Sequence, residues 1–391
     1  MTHWPATTVR VNGRGEERVA SGHPWIFASD VVDRGQAAPG EAVIVAGPAG
    51  RPLGTAHYSS TSQICLRLLS NRVEAIGRSF LRRRLEAALE LRQRLVAESE
   101  AWRLVHGEGD GLPGLVVDRY ADYLVFQALD QGMDRLAPEL VSCLQELLEP
   151  AGIVARNDAA PRVKEDLKLE VKVVAGEVPE LVSVGMHGLT FIADLLHGQK
   201  TGMFLDQREN YLAAARYARG RALDCFTSSG GFALHLASKC EWVETVDSSA
   251  AALRLARASR DASGIANVEF QEADVFELLS RFAAAGRKFG AVVLDPPAFT
   301  KSRAGVEGAA RGYKEINLRA LRLLEPGGVL VTCSCSHHLS EADFLEIVAS
   351  ASLDAGRALR VLERRTQAAD HPILLTVPET HYLKCLILEV V

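Results

Sequence analysis

Between residues 204 and 390 short apolar runs alternate with amphipathic stretches, and four of the runs lead to an aspartate. The runs are RALDCF (221–226), VETVD (243–247), VEFQEAD (268–274), FGAVVLDPP (289–297) and VLVTCS (329–334). Helical periodicity fills 204–220, 232–240, 249–264, 275–286, 313–328 and 342–356. LRVLERRT (359–366) and HYLKCLILEV (381–390) add two further strands. Apolar strands separated by helices predict an α/β fold, with a mostly parallel sheet covered on both faces.

Ahead of these units the pattern differs. EAVIVAG (41–47) and SQICLRLLS (62–70) read as short strands punctuated by Gly and Pro, so residues 1–73 form a small β-rich module. From Glu74 the period changes. Ile76, Phe80, Leu81, Leu85, Leu89 and Leu95 recur at helical spacing with arginines between them, which predicts an amphipathic helix over 74–98. GLVVDRY and YLVFQAL flank Ala121-Asp122 as a hairpin. A helix over 133–150 and strands over 152–158 and 167–176 complete an α+β region spanning 74–188. The strand at 189–196 and the βα units make a third region, 189–391.

Charge bears on partners. The net charge of −5 excludes a chain-wide basic clamp but not local patches. Arg82, Arg83 and Arg84 lie on the first long helix, whose basic face can follow a phosphate backbone or simply be solvated. In RVASGHPWIFASDV (18–31), His23 and Trp25 sit in a turn that either packs its aromatics or faces nucleic acid. Seven cysteines are spread thinly and no secretory leader opens the sequence, which fits a reducing cytosol. No apolar run reaches the ~18 residues of a membrane span.

In a doubly wound sheet, ligands bind outside the carboxyl ends of the strands. Four acids stand there. Asp224 leads through Cys225 and Phe226 to Thr227-Ser228-Ser229-Gly230-Gly231, where little side-chain bulk lets a ligand reach the backbone. The stretch is not G-x-G-x-x-G, so a dinucleotide pyrophosphate is poorly matched. Asp247 closes the next strand, where an acid accepts from ribose hydroxyls. Asp274, followed by an apolar residue, suits an exocyclic amine. Asp295-Pro296-Pro297 is the fourth. Singly, each also reads as a helix cap or turn residue. Four in register point to a ligand.

The stretch TCSCSHH (332–338) concentrates chemistry. In a strand Cys333 and Cys335 share a face, so alternation does not separate them. Depth does: Val329-Leu330-Val331 precede Cys333, while Ser336-His337-His338 open a loop beside Cys335. Without a paired knuckle no metal is expected. A C-x-x-C redox pair is absent.

These features resemble the Rossmann-like class of S-adenosylmethionine-dependent methyltransferases. More narrowly, the chain resembles the bacterial large-subunit (23S) ribosomal RNA cytosine-C5 methyltransferases. GHPWIF (22–27), GDGLPGLVVDRY (109–120), GQKTGMFLDQREN (198–210), DCFTSSGGF (224–232), LDPPAFTKS (294–302), TCSCSHH and AADHP (368–372) are similar to that family's motifs, in order. The resemblance implies a PUA-like RNA-binding domain (1–73), a central α+β domain (74–188) and a Rossmann-like methyltransferase domain (189–391). It implies S-adenosylmethionine as methyl donor, surrounded by Asp224, Thr227, Gly230, Asp247 and Asp274. Lys200, Asp206, Arg208 and Asn210 would form or brace the rim, although Asp206 and Arg208 also read as an internal ion pair. It further implies ribosomal RNA as partner, free or in an assembly intermediate, a cytoplasmic location, and compatibility with a homodimer. Two places depart from the family pattern: SVGMHGLTF (183–191) and the SSGG turn.

Cytosine C5 is a poor nucleophile until a thiolate adds at C6 and makes C5 enamine-like. The resemblance assigns that thiol to the last Ser-Cys-Ser, hence Cys335, in agreement with the depth argument. Cys333 is then a buried small hydrophobe. Asp295 would accept from the cytosine N4 amine. Pro296 and Pro297 would stiffen its loop, and Phe299 would stack on the base. Lys301, His337 or His338 would support a thiolate. Related RNA enzymes carry a second cysteine beside the Pro pair, where this chain has Ala298-Phe299. Asp-Pro-Pro-aromatic also resembles loops that methylate base nitrogens, guanine N7 included, without a thiolate. A non-enzymatic RNA adaptor is the remaining alternative. In either enzyme reading the base must be single-stranded or flipped out.

Overall fold

The computed structural model describes residues 4–300 and 305–391. The chain divides into two compact units. One gathers the residues up to 182 with 194–202 and 369–380, and the other gathers 183–193, 203–368 and 381–391.

The first unit contains two sheets. Apolar residues alternate along the N-terminal strands and bury Val9, Val11, Ile26, Val43, Val45 and Leu66 on one side. The strand order is Trp25–Phe27, Ile64–Ser70, Pro52–Tyr58, Ala42–Ala46, Thr8–Val11, Val31–Asp33. The second sheet runs Glu170–Gly176, Gly152–Asn157, Tyr123–Ala128, Leu115–Tyr120, Ala101–His106. Its expected hairpin turns at Ala121, which has φ 52. The amphipathic helix spans Arg78–Leu95 and buries Phe80, Leu81 and Leu85. The helix expected over 133–150 is broken in two, Gln131–Arg135 and Ala137–Leu148. Pro138 explains the break, since proline fits a first helical turn but not an interior. The fully buried Arg92 donates to the Arg103 carbonyl (2.8 Å), Asp110 and the Asp370 carbonyl (2.7 Å), tying the 369–380 segment into this unit.

The second unit is a seven-stranded sheet. Its strands are β1 (Arg221–Cys225), β2 (Trp242–Asp247), β3 (Val268–Glu272), β4 (Phe289–Leu294), β5 (Leu324–Ser334), β6 (Leu359–Arg365) and β7 (Lys384–Val390). The order β3-β2-β1-β4-β5-β7-β6 is parallel except for β7, which runs antiparallel to both neighbours. The chain reverses direction across the sheet between β1 and β4, which makes their carboxyl ends the switch point. The helices are α1 (Arg208–Tyr217), α2 (Gly231–Leu236), α3 (Ala250–Ala262), α4 (Val275–Ala284), α5 (Val306–Leu323) and α6 (Glu341–Asp354). Every residue of β4 is buried, as the absence of alternation in FGAVVL requires. The helix expected to run to 328 stops at Leu323. Pro326 has no N–H to continue it and Gly327 takes φ 69, so Leu324 begins the strand instead.

Strands Val182–Met186 and Leu189–Ala193 pair with each other. Thr190 and Ile192 donate their N–H groups to Ser263 and Ser259 at 2.9 Å, seating the second strand on α3 and the turn after it. The division expected at 188 falls in the turn of this hairpin. Among the described residues no helix is long and apolar enough to cross a membrane, and no group of His, Cys, Asp and Glu is placed to hold a metal.

Candidate active site

The turn after β1 is held by the acids at two strand ends. Asp224 is fully buried, and its Oδ2 accepts from Thr227 Oγ1 (2.6 Å) and the Ala233 N–H (3.1 Å). Its Oδ1 is buried with no hydrogen-bond partner among the described residues. Asp247 accepts from the Ser228 N–H through Oδ2 (2.9 Å) and from the Ser249 N–H through Oδ1 (2.8 Å). Phe226 and Ser228 both take left-handed backbone, φ 63 and 49. That conformation is costly for side chains with a Cβ, and the two carboxylates hold it in place. Gly230 has φ 88, and a Cβ there would meet Ala256 of α3 at 3.3 Å. At Gly231 a Cβ would lie 2.2 Å from the Tyr211 ring, so only glycine lets α1 and α2 close up.

Burial is the main cause that pushes Asp224 up to about 7, and the carboxylates of Asp295 and Asp247 push the same way against its hydrogen bonds. Asp295 leaves β4 half-buried, accepting from Gln207 Nε2 at 3.0 Å. Gln207 in turn accepts from Asn210 Nδ2 at 2.6 Å, and Asn210 Oδ1 accepts from Arg365 at 2.8 Å. Asp206 is buried and accepts from the Tyr382 hydroxyl at 2.7 Å. Tyr211 donates to the Phe204 carbonyl, and burial beside Asp295, Asp206 and Asp224 raises its phenol well above the usual range.

The two cysteines differ as depth predicts. Cys333 is fully buried, and burial next to Cys385 on β7 raises its thiol well above the ordinary range. β5 ends at Ser334, so Cys335 stands just beyond the strand, half-buried. β4 and β5 pair with Leu294 opposite Thr332, and β1 and β4 pair with Cys225 opposite Leu294. Asp224, Asp295 and Cys335 therefore sit at the carboxyl ends of three adjacent parallel strands.

A family model described as S-adenosylmethionine-dependent methyltransferase matches residues 103–387, and a PUA-like domain model matches residues 9–71. The chain belongs to the S-adenosylmethionine-dependent methyltransferases. It is 41% identical over 385 residues to ribosomal RNA large subunit methyltransferase I of Klebsiella pneumoniae, covering 96% of each chain. The identity is 40% over 388 residues with the protein of that name from Erwinia tasmaniensis, covering 96% of this chain and 98% of that one. The fold matches a protein described as a proposed methyltransferase complexed with SAH, with TM-score 0.85, 18% identity, and 98% and 100% of the two chains covered. The methyl donor of this methyltransferase is S-adenosylmethionine. The residues present fit such a group: Asp224 offers a buried acceptor without a partner among the described residues at the switch point, beside a turn of small residues.

Other expected residues of the methyltransferase stand as follows. Asp274 is exposed and caps α4, accepting from the Glu277 N–H at 3.0 Å. Arg208 is fully buried and pairs with Glu209. Pro296 is buried, and half-buried Phe299 packs its ring 4.5 Å from Tyr313 and 6.2 Å from Phe276. Lys301 lies outside the described residues. Lys200 is exposed with φ 52 and belongs to the first unit.

The proposed RNA-facing residues of the first unit are more committed than expected. Trp25 Nε1 donates to Glu108 at 2.7 Å, and His23 contacts Glu379 at 3.2 Å. His23, Trp25 and Phe27 are all half-buried, and Trp25 opens the strand Trp25–Phe27. Arg82 pairs with Glu86 and Glu146, Arg83 with Glu74, and Arg84 donates to the Leu69 carbonyl. They do not form an unopposed cationic stripe.

Three residues escaped the sequence reading. Gln207 lies inside GQKTGMFLDQREN but carries no charge to attract notice. Tyr211 is one helical turn further on. Lys384 was visible as the one charge within the apolar YLKCLIL.

Proposed function

We propose that this chain transfers a methyl group from S-adenosylmethionine to C5 of a cytosine in large-subunit ribosomal RNA, through a covalent Cys335 adduct at C6. The observation that carries the reading is the convergence of Asp224, Asp295 and a half-buried Cys335 at the ends of adjacent strands. The names of the relatives from Klebsiella pneumoniae and Erwinia tasmaniensis support large-subunit ribosomal RNA as substrate. Such a substrate belongs in the cytoplasm.

When bound, S-adenosylmethionine supplies an electrophilic methyl group on a sulfonium. Asp224 and the Thr227–Gly230 turn would hold its amino-acid end, Asp247 its ribose hydroxyls and Asp274 its adenine amine. Gln207 and Asn210 brace Asp295, which would accept from the cytosine N4 amine. The Cys335 thiolate would form an Sγ–C6 bond, and the C5–C6 π electrons would then take up the methyl group at C5, its bond to the donor sulfur breaking to leave a neutral thioether. Loss of the C5 proton to a base then drives β-elimination. The Sγ–C6 bond breaks, the C5–C6 double bond returns, and the thiolate is released. Cys333 is too deep and its thiol too high to share this role.

Asp-Pro-Pro-Ala-Phe is also compatible with base-nitrogen methylation, which needs no thiolate. One experiment separates the readings. Unmodified ribosomal RNA is incubated with labelled S-adenosylmethionine, and the product is mapped by mass spectrometry for wild type and Cys335→Ala. The proposal expects 5-methylcytosine from wild type alone. Undiminished methylation by Cys335→Ala, or a methylated purine, would sink it.

A further inference from the structure

Lys384 opens β7 opposite Ser334, the last residue of β5. Its side chain is buried, with 3% of the residue exposed. The ammonium donates to the Ser336 carbonyl at 2.7 Å and the Tyr382 carbonyl at 2.9 Å. These contacts straddle Cys335, holding the backbone on its far side while the strand pairing holds the near side. A buried ammonium is costly unless an anion answers it.

The ionisable groups around this corner narrow the choice of anion. Glu341, at the start of α6, is paired with Arg364 at 2.7 Å. Glu363 and Arg365 on β6 pair with each other. Asp206 accepts from Tyr382. The Tyr313 hydroxyl of α5 is engaged with Ser336 at 3.0 Å. His337 packs its ring 5.4 Å from that of Tyr382. Cys333 and Cys385 are buried, and the thiol of Cys333 lies well above the usual range. Cys335 remains, and it is the first anionic influence on Lys384, ahead of Glu341.

We propose that Lys384 is a positioning residue for the reaction: its buried ammonium lowers the pKa of the Cys335 thiol and fixes the 334–336 backbone that presents it. The inference rests on the reading of Cys335 as nucleophile. Two independent features support it. The paired strands bring the ammonium beside the Cys335 segment, and the competing carboxylates of that corner are occupied. Burial brings Lys384 itself down to about 8, which the Cys335 thiolate opposes. Each group favours the charged form of the other.

The test reads the thiol directly, without RNA. Full-length protein is treated with iodoacetamide across a pH series, and alkylation at Cys335 is quantified by peptide mass spectrometry. Wild type should show a midpoint below the ordinary ~8.5 of a free thiol. Lys384→Met should raise the midpoint by about one unit, close to tenfold slower alkylation at neutral pH, while Lys384→Arg keeps it low. An unchanged midpoint in folded Lys384→Met overturns the proposal. Should that variant fail to fold, a wild-type midpoint at or above ~8.5 overturns it equally. A low wild-type midpoint retained in Lys384→Arg then supports it. Persistent RNA methylation by Cys335→Ala would instead defeat the nucleophile reading, which alkylation does not measure.

Discussion

Gln207 donates its side-chain amide to Asp295 Oδ1 at 3.0 Å across 88 residues of sequence, and accepts from Asn210 with its other end. One neutral, buried side chain thus fixes the carboxylate proposed to read the base. Gln207→Leu fills the space but removes both hydrogen bonds. Leaving such buried partners unsatisfied costs about 1–3 kcal/mol. Single-turnover methyl transfer should fall about tenfold or more, with donor affinity changing less. A full-rate Gln207→Leu enzyme would show that Asp295 needs no brace.

Asp224 makes a pH-dependent prediction. Its folded pKa of about 7 stands above the ordinary ~3.9 of an aspartate, so the folded chain binds a proton that the unfolded chain releases. Relative to the unfolded chain, its contribution is fully present below about pH 4 and is lost as pH rises toward about 7. The loss is on the order of 4 kcal/mol. Asp224→Asn should therefore gain stability over wild type in thermal melts near pH 8, and little near pH 4. Melting curves that stay parallel at both pH values would contradict the assignment. The cationic donor should reverse the trend in wild type, with affinity for S-adenosylmethionine rising as Asp224 ionises.

His235 runs the other way. Its pKa is lowered to about 4, chiefly by burial, against the hydrogen bond its ring makes to the Gly231 carbonyl. Its contribution is complete above the ordinary ~6.5 and is lost as pH falls through about 4. His235→Gln should flatten the acid limb of the stability curve while costing stability at neutral pH. Acid melts of the variant that track wild type would exclude His235 from that limb.

The paired cysteines separate by mutation. Cys333→Ala leaves a small cavity and should cost about 1 kcal/mol while methylation persists. Cys335→Ala, half-buried at the strand end, should melt close to wild type and transfer no methyl group to RNA. Equal loss of activity in both variants would mean that packing, and not nucleophilicity, is being measured.

Arg82 and Arg83 are already answered by Glu86, Glu146 and Glu74. Their joint replacement by Ala should change the slope of log affinity against log salt by less than about one. A change near two would mean that both bind phosphate after exchanging their carboxylate partners.

The βα series was readable because burial of a parallel sheet on both faces leaves unbroken apolar runs, and because Asp224, Asp247 and Asp295 close three of them. The depth difference between Cys333 and Cys335 followed from three apolar residues before one and three polar ones after the other. What stayed hidden was set by long-range pairing. Gln207 gains meaning only through Asp295, and Lys384 only through a strand that enters the sheet antiparallel beside β5. Local pattern also misplaced the end of α5, where leucine periodicity ran on but Pro326 and Gly327 forced a strand.

That late strand has a consequence for biosynthesis. β7 lies between β5 and β6 yet follows both in the chain. A nascent protein that has already formed β1 to β5 presents the edge of β5, with Val329, Leu330 and Val331, to other chains. Unpaired edges of this kind invite association between molecules. The segment carrying Cys335 therefore lacks its neighbouring strand until Lys384–Val390 has left the ribosome. Arrest of translation before that point should yield a chain that aggregates and transfers no methyl group.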